Sequence, residues 1–68
     1  MKTSARNNLK GTVVEVKAGD VNAQVKVDIG GGNVVTSVIT MDSVRDLGIK
    51  EGGDAFVIIK ASSVMLGV

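Results

Sequence analysis

The chain reads as all-β, a small five-stranded barrel carrying one short helical turn. Three observations predict this. Short β-branched or alternating segments recur along its 68 residues, glycine-centred turns separate them, and only one stretch has helical spacing with helical end signals.

Residues 10–17 form the first strand, with Thr12, Val14 and Val16 on one face and Val13, Glu15 and Lys17 on the other. Ala18-Gly19-Asp20 is turn chemistry. Residues 22–29 then alternate polar with apolar, which points Ala23, Val25, Val27 and Ile29 inward on a half-buried strand. Gly30-Gly31-Gly32-Asn33 links this strand as a hairpin to residues 34–40. A phosphate loop would need a helix and a Lys-Ser/Thr pair after the glycines, and neither is there. Residues 41–47 are the helix, with Thr40 placed to cap it, Asp42 in its first turn and Gly48 to end it. Val44 and Leu47, three apart, share its inner face. Residues 50–54 make a second turn, and residues 55–61 are a nearly continuous apolar strand, expected to be covered on both faces. Ser62-Ser63 interrupts it, and residues 64–66 supply a last short strand. Strands in this order with a helical turn between the third and fourth match a barrel of the oligonucleotide/oligosaccharide-binding (OB) type.

A single domain spanning residues 1–68 is near the size at which one core only just offsets chain entropy. Without Cys or His, disulfides and the usual structural zinc sites are excluded, which leaves oligomerisation as the means of added stability. The apolar share is 44%, yet Phe56 is the only aromatic residue, so the aliphatic surface is available to be buried between subunits. Eight basic and seven acidic side chains give a net charge of +1, too little to steer the chain onto nucleic acid or an anionic membrane. No apolar window has signal-peptide or membrane-spanning length, so a cytoplasmic location is expected.

The chemistry is concentrated in Ser4-Ala5-Arg6-Asn7 and Lys60-Ala61-Ser62-Ser63. Two cations among hydroxyls and small residues whose amides are approachable are suited to a compact oxyanion, which accepts hydrogen bonds and offers none. Arg6 brings a directional fork and Lys60 a point charge. Thr40 and Ser43 stand at the start of the short helix, where free amides favour an anion. Each residue also has an ordinary reading. Arg6 could be a solvated cation, Lys60 a strand-end lysine reaching for solvent, and Thr40 with Ser43 only a helix cap.

These segments, together with Leu9-Lys10-Gly11, residues 35–44, Leu47-Gly48 and Val64-Met65, resemble the molbindin family, the small Mop-type molybdate-binding proteins. The resemblance spans the whole chain with consistent spacing. It implies an OB-like barrel of the TOBE or Mop type, a homohexamer built as a trimer of dimers, and storage or homeostasis of molybdate or tungstate at subunit interfaces, with no organic cofactor. The same domain is similar to the binding module of molybdate-responsive regulators and transporter ATPases. By resemblance, Ser4, Ala5, Arg6, Lys60, Ala61 and Ser62 belong to one subunit's share of the site, and Thr40 and Ser43 to its partner's. A second oxyanion site on a symmetry axis would use backbone amides of Gly19, Asp20, Val21 and Asn22. The Asp20 carboxylate weighs against it, since it repels an oxyanion unless it points away.

Other function classes fare worse. An enzyme would lack His, Cys and Tyr, and the carboxylates of Glu15, Asp28, Asp42, Asp46, Glu51 and Asp54 form no evident converging pair. A nucleic-acid-binding barrel would need stacking aromatics and a basic groove. A purely structural oligomerisation module is the remaining alternative, and it predicts an assembly indifferent to molybdate.

Overall fold

The computed structural model describes residues 1–68. Its elements are β1 (Asn7–Ala18), β2 (Asn22–Gly30), β3 (Asn33–Thr40), α1 (Met41–Leu47), β4 (Asp54–Ile59) and a 3-10 turn over Ala61–Ser63. The strands form one antiparallel sheet in the order β3-β2-β1-β4, curled over its concave side. The strand count is therefore four, not five. Residues 64–66 pair with no strand of their own chain, and Met65 and Leu66 are 92% and 94% exposed. Curling alone does not close the sheet, because β3 and β4 remain its two edges.

The first strand begins earlier than glycine and β-branching suggest, because Asn7, Asn8 and Leu9 pair with Ile59, Ile58 and Val57. A bulge between Val13 and Glu15 corrects the face assignment for this strand. Before it, odd-numbered residues face the core, and Val13 is 1% exposed; after it, Val16 is the half-buried residue. Strict alternation had placed Val13 and Val16 on opposite faces. The segment before β4 braces the bulge, with Val13 N–H donating to Gly53 O (2.8 Å), Gly52 N–H to Val13 O (2.8 Å) and Val16 N–H to Glu51 Oε1 (3.2 Å).

Ala23, Val25 and Val27 are buried as alternation predicts, and with Val13 and Val44 they form the core. Gly31 and Gly32, with φ of 63° and 79°, make the tight turn between β2 and β3, a backbone region that favours glycine at both positions. In α1 the Thr40 hydroxyl accepts from Ser43 N–H (3.0 Å), and Gly48 closes the helix by donating to Arg45 O (3.2 Å). Only Val44 of the expected inner pair is buried. Leu47 is 70% exposed, since the helix turns Met41 and Val44, also three apart, onto the core instead.

The expectation that β4 is covered on both faces also fails for the single chain. Ala55, Val57 and Ile59 turn inward, while Phe56 and Ile58 are 50% and 48% exposed. Between the β3 and β4 edges lies an apolar groove of about 160 Å³ lined by Val25, Val27, Ile39, Leu47, Phe56 and Ile58, among others.

Candidate functional site

The N-terminal arm and the end of β4 meet because β1 and β4 are antiparallel neighbours whose ladder ends at the Asn7 and Ile59 pair. Residues just before Asn7 and just after Ile59 therefore emerge side by side. They wall a cleft lined by Thr3, Ser4, Ala5, Arg6, Ile58, Lys60, Ala61 and Ser62. The structure thus brings together six of the sequence-predicted residues from segments more than fifty positions apart. Its volume of about 660 Å³ lies within the ~300–1,000 Å³ of pockets that hold organic ligands, so a five-atom ion would need another wall to be gripped.

Arg6 and Lys60 are exposed, and neither takes part in an ion pair; the chain's two salt bridges are Lys26 with Glu15 and Arg45 with Asp42. Two unneutralised cations at one cleft attract an anion from either side. The 3-10 turn adds backbone donors. Its own bonds run from Ser63 N–H to Lys60 O (2.8 Å) and from Val64 N–H to Ala61 O (3.3 Å), so the amides of Ala61 and Ser62 precede the first acceptor the turn provides. The Ala5 amide is less free than the sequence suggests. It donates to Thr3 Oγ1 at 3.2 Å, and an anion would have to displace that hydroxyl.

Sequence reading missed Thr3 and Ile58 as lining residues. The signal for Ile58 was present, since Phe56, Ile58 and Lys60 are spaced by two on one face of a strand. Thr3 had no comparable signal beyond lying next to Ser4.

Thr40 and Ser43 do not line the cleft. Arg6 precedes the first residue of β1, whereas Thr40 pairs with Asn22, beside the last residue of β1. The 12 residues of β1 at ~3.3 Å each put these two groups at opposite ends of a strand roughly 40 Å in contour. Thr40 Oγ1 also donates to Ser43 Oγ at 2.9 Å, which leaves the Ser43 hydroxyl hydrogen free for an outside acceptor. Of the turn residues, Gly19 N–H donates to Asn22 O (2.9 Å) and Val21 O accepts from Met41 N–H (2.8 Å), so part of that backbone is committed to holding the turn. None of Gly19, Asp20, Val21 and Asn22 lines the cleft of Arg6 and Lys60 or the apolar groove. No group of His, Cys, Asp or Glu is placed to hold a metal cation, and no helix is long and apolar enough to cross a membrane.

Residues 3–66 match the TOBE domain. The chain is 54% identical over 68 residues to a probable molybdenum-pterin-binding protein of Haemophilus influenzae, covering 100% of this chain and 99% of that one. Its fold superposes on MopII from Clostridium pasteurianum with a TM-score of 0.91 at 48% identity, covering 98% and 100% of the two chains. It superposes equally on the cytoplasmic molybdate-binding protein ModG in a molybdate-bound form, with a TM-score of 0.93 at 47% identity, covering all of this chain and 48% of ModG. With the domain matched along nearly its whole length and a relative of its own size half identical to it, the chain belongs to the TOBE-domain family and to its small Mop type.

Proposed function

We propose that the protein is a reversible binder of molybdate and tungstate, storing or buffering the ion without making or breaking bonds, in the cytoplasm. The carrying observation is the cleft in which Arg6 and Lys60 stand together without a carboxylate, beside the hydroxyls of Ser4 and Ser62 and the free amides of Ala61 and Ser62. Such a site is rich in donors and holds no carboxylate, which fits a dianion. The molybdate bound by ModG points the same way, and the names of the molybdenum-pterin-binding relatives share its molybdenum.

The complete site is shared between copies of the chain. One copy supplies Ser4, Ala5, Arg6, Lys60, Ala61 and Ser62, and the partner supplies Thr40 and Ser43 from the far end of its own sheet. Within one chain neither Thr40 nor Ser43 lines the cleft, and the length of β1 lies between the two sets. Exposed Phe56 and Ile58, the open β3 and β4 edges, and the projecting Met65 and Leu66 support association of copies, which we take to be a hexamer built as a trimer of dimers. A second oxyanion site at Gly19, Asp20, Val21 and Asn22 would form only where such turns meet on an axis.

Selection between oxyanions follows from size. Sulfate is the smaller tetrahedron, and in a cage spaced for molybdate it leaves donors unsatisfied. Isothermal titration with molybdate, tungstate, sulfate and phosphate, alongside native mass spectrometry, tests the reading. Saturable molybdate and tungstate binding to a hexamer with far weaker sulfate binding is expected. An intact hexamer that takes up no oxyanion would instead identify a structural module, and efficient displacement of molybdate by equal sulfate would refute selection by size.

A further inference from the structure

We propose that Asn7 is the positioning residue of this cleft, its side-chain amide fastening the arm that carries Arg6 to the strand end that carries Lys60. The inference rests on the oxyanion reading above. Asn7 Nδ2 donates to Ile59 O at 3.1 Å in a part-buried bond between residues 52 positions apart. One end of that bond is the residue after Arg6 and the other is the residue before Lys60. No other side-chain hydrogen bond connects the two walls, for Asn8 Nδ2 to Ala5 O (2.8 Å) and Ala5 N–H to Thr3 Oγ1 (3.2 Å) are both local to the arm.

The need for such a tie is electrostatic. Arg6 and Lys60 repel one another when no anion lies between them, and no carboxylate pairs with either. The backbone ladder ends with the Asn7 and Ile59 pair, so the side-chain bond reinforces its terminal pair, the one most prone to fray. If that last pair frays, Arg6 moves away from Lys60 and must be reordered at each binding event, which lowers affinity without altering any donor. An amide is suited to this task, because it donates to the carbonyl while bringing no charge to the cleft. Aspartate of the same shape could not donate and would repel the ligand.

Asn7→Ala and Asn7→Val, the latter well suited to a strand, remove the donor. Titration of the assembled protein with sodium molybdate is expected to show affinity about tenfold lower for both, with hexamer mass unchanged and Asn8→Ala within about twofold of the parent. The distinguishing readout is a double-mutant cycle with Lys60→Ala. If Asn7 works by holding Arg6 to Lys60, then Asn7→Ala costs little more once Lys60 is gone. Parent-like affinity in both Asn7 variants, or losses that simply add in the cycle, would overturn the positioning role. Arg6→Ala separates this from failure of the site itself: parent-like molybdate affinity in that variant overturns the cleft as the binding site, and the role of Asn7 with it.

Discussion

Arg6 and Lys60 are expensive residues to place together, since each lacks a counter-ion at an exposed strand end. Their proximity makes sense once an anion supplies the missing charge. Arg6→Ala is accordingly expected to weaken molybdate binding by at least an order of magnitude in titration while leaving assembly intact, because Arg6 is exposed and supports no packing. Thr40 and Ser43 can be separated by the same logic. Ser43→Ala keeps the backbone N–H that Thr40 Oγ1 accepts, so α1 should persist and molybdate affinity should fall several-fold. Thr40→Ala removes the cap itself and should cost about 1 kcal/mol of stability in chemical denaturation, beyond any effect on binding.

At the level of elements, β1 does most to build the site, and its irregularities are part of that. Its N-terminal half lies against β4 and ends at the cleft; its C-terminal half lies against β2, and the bulge between Val13 and Glu15 lets one strand serve both neighbours with its apolar side inward. Gly11 is fixed by close approach. A Cβ there would stand 2.5 Å from Asp28 O and 2.7 Å from Val27 Cγ1, so Gly11→Ala must push β2 away from β1. A loss of roughly 1–3 kcal/mol is expected, read as a lowered denaturation midpoint. Unchanged stability would mean that β1 and β2 tolerate a wider separation than this packing shows.

For the whole molecule, a core of five buried residues in 68 is thin, and several large apolar side chains stay exposed in one chain. Folding and assembly are therefore linked, and two substitutions should tell them apart. Val27→Asp buries a charge among Val13, Val25 and Val44 and should abolish folding, seen as loss of β-sheet circular dichroism. Ile58→Asp sits at a half-exposed position of an edge strand and should leave a folded chain whose native mass is below that of the hexamer. A hexamer with Ile58→Asp in place would show that the face around Phe56 and Ile58 is not an interface.

Much of the fold, and the six residues that come together in one cleft, were legible in the chain because they depend on local chemistry. Alternation fixes Ala23, Val25 and Val27 as core, the Thr40 and Gly48 ends bound the helix, and the donors at residues 4–6 and 60–62 are of types suited to an oxyanion. Tertiary structure alone decided the rest. A bulge cannot be seen in a run of β-branched residues, because it arises from pairing with two different neighbours, and so the faces of Val13 and Val16 were misread. Leu47 and Phe56 are apolar whether or not anything covers them, and only the faces that α1 and β4 turn to the core leave them in solvent. The sequence by itself determined which groups can meet an anion; the antiparallel register of β1 with β4 brought one set into a cleft, and the length of β1 held Thr40 and Ser43 at the far end, since side chains converge through strand pairing and not through their spacing in the chain.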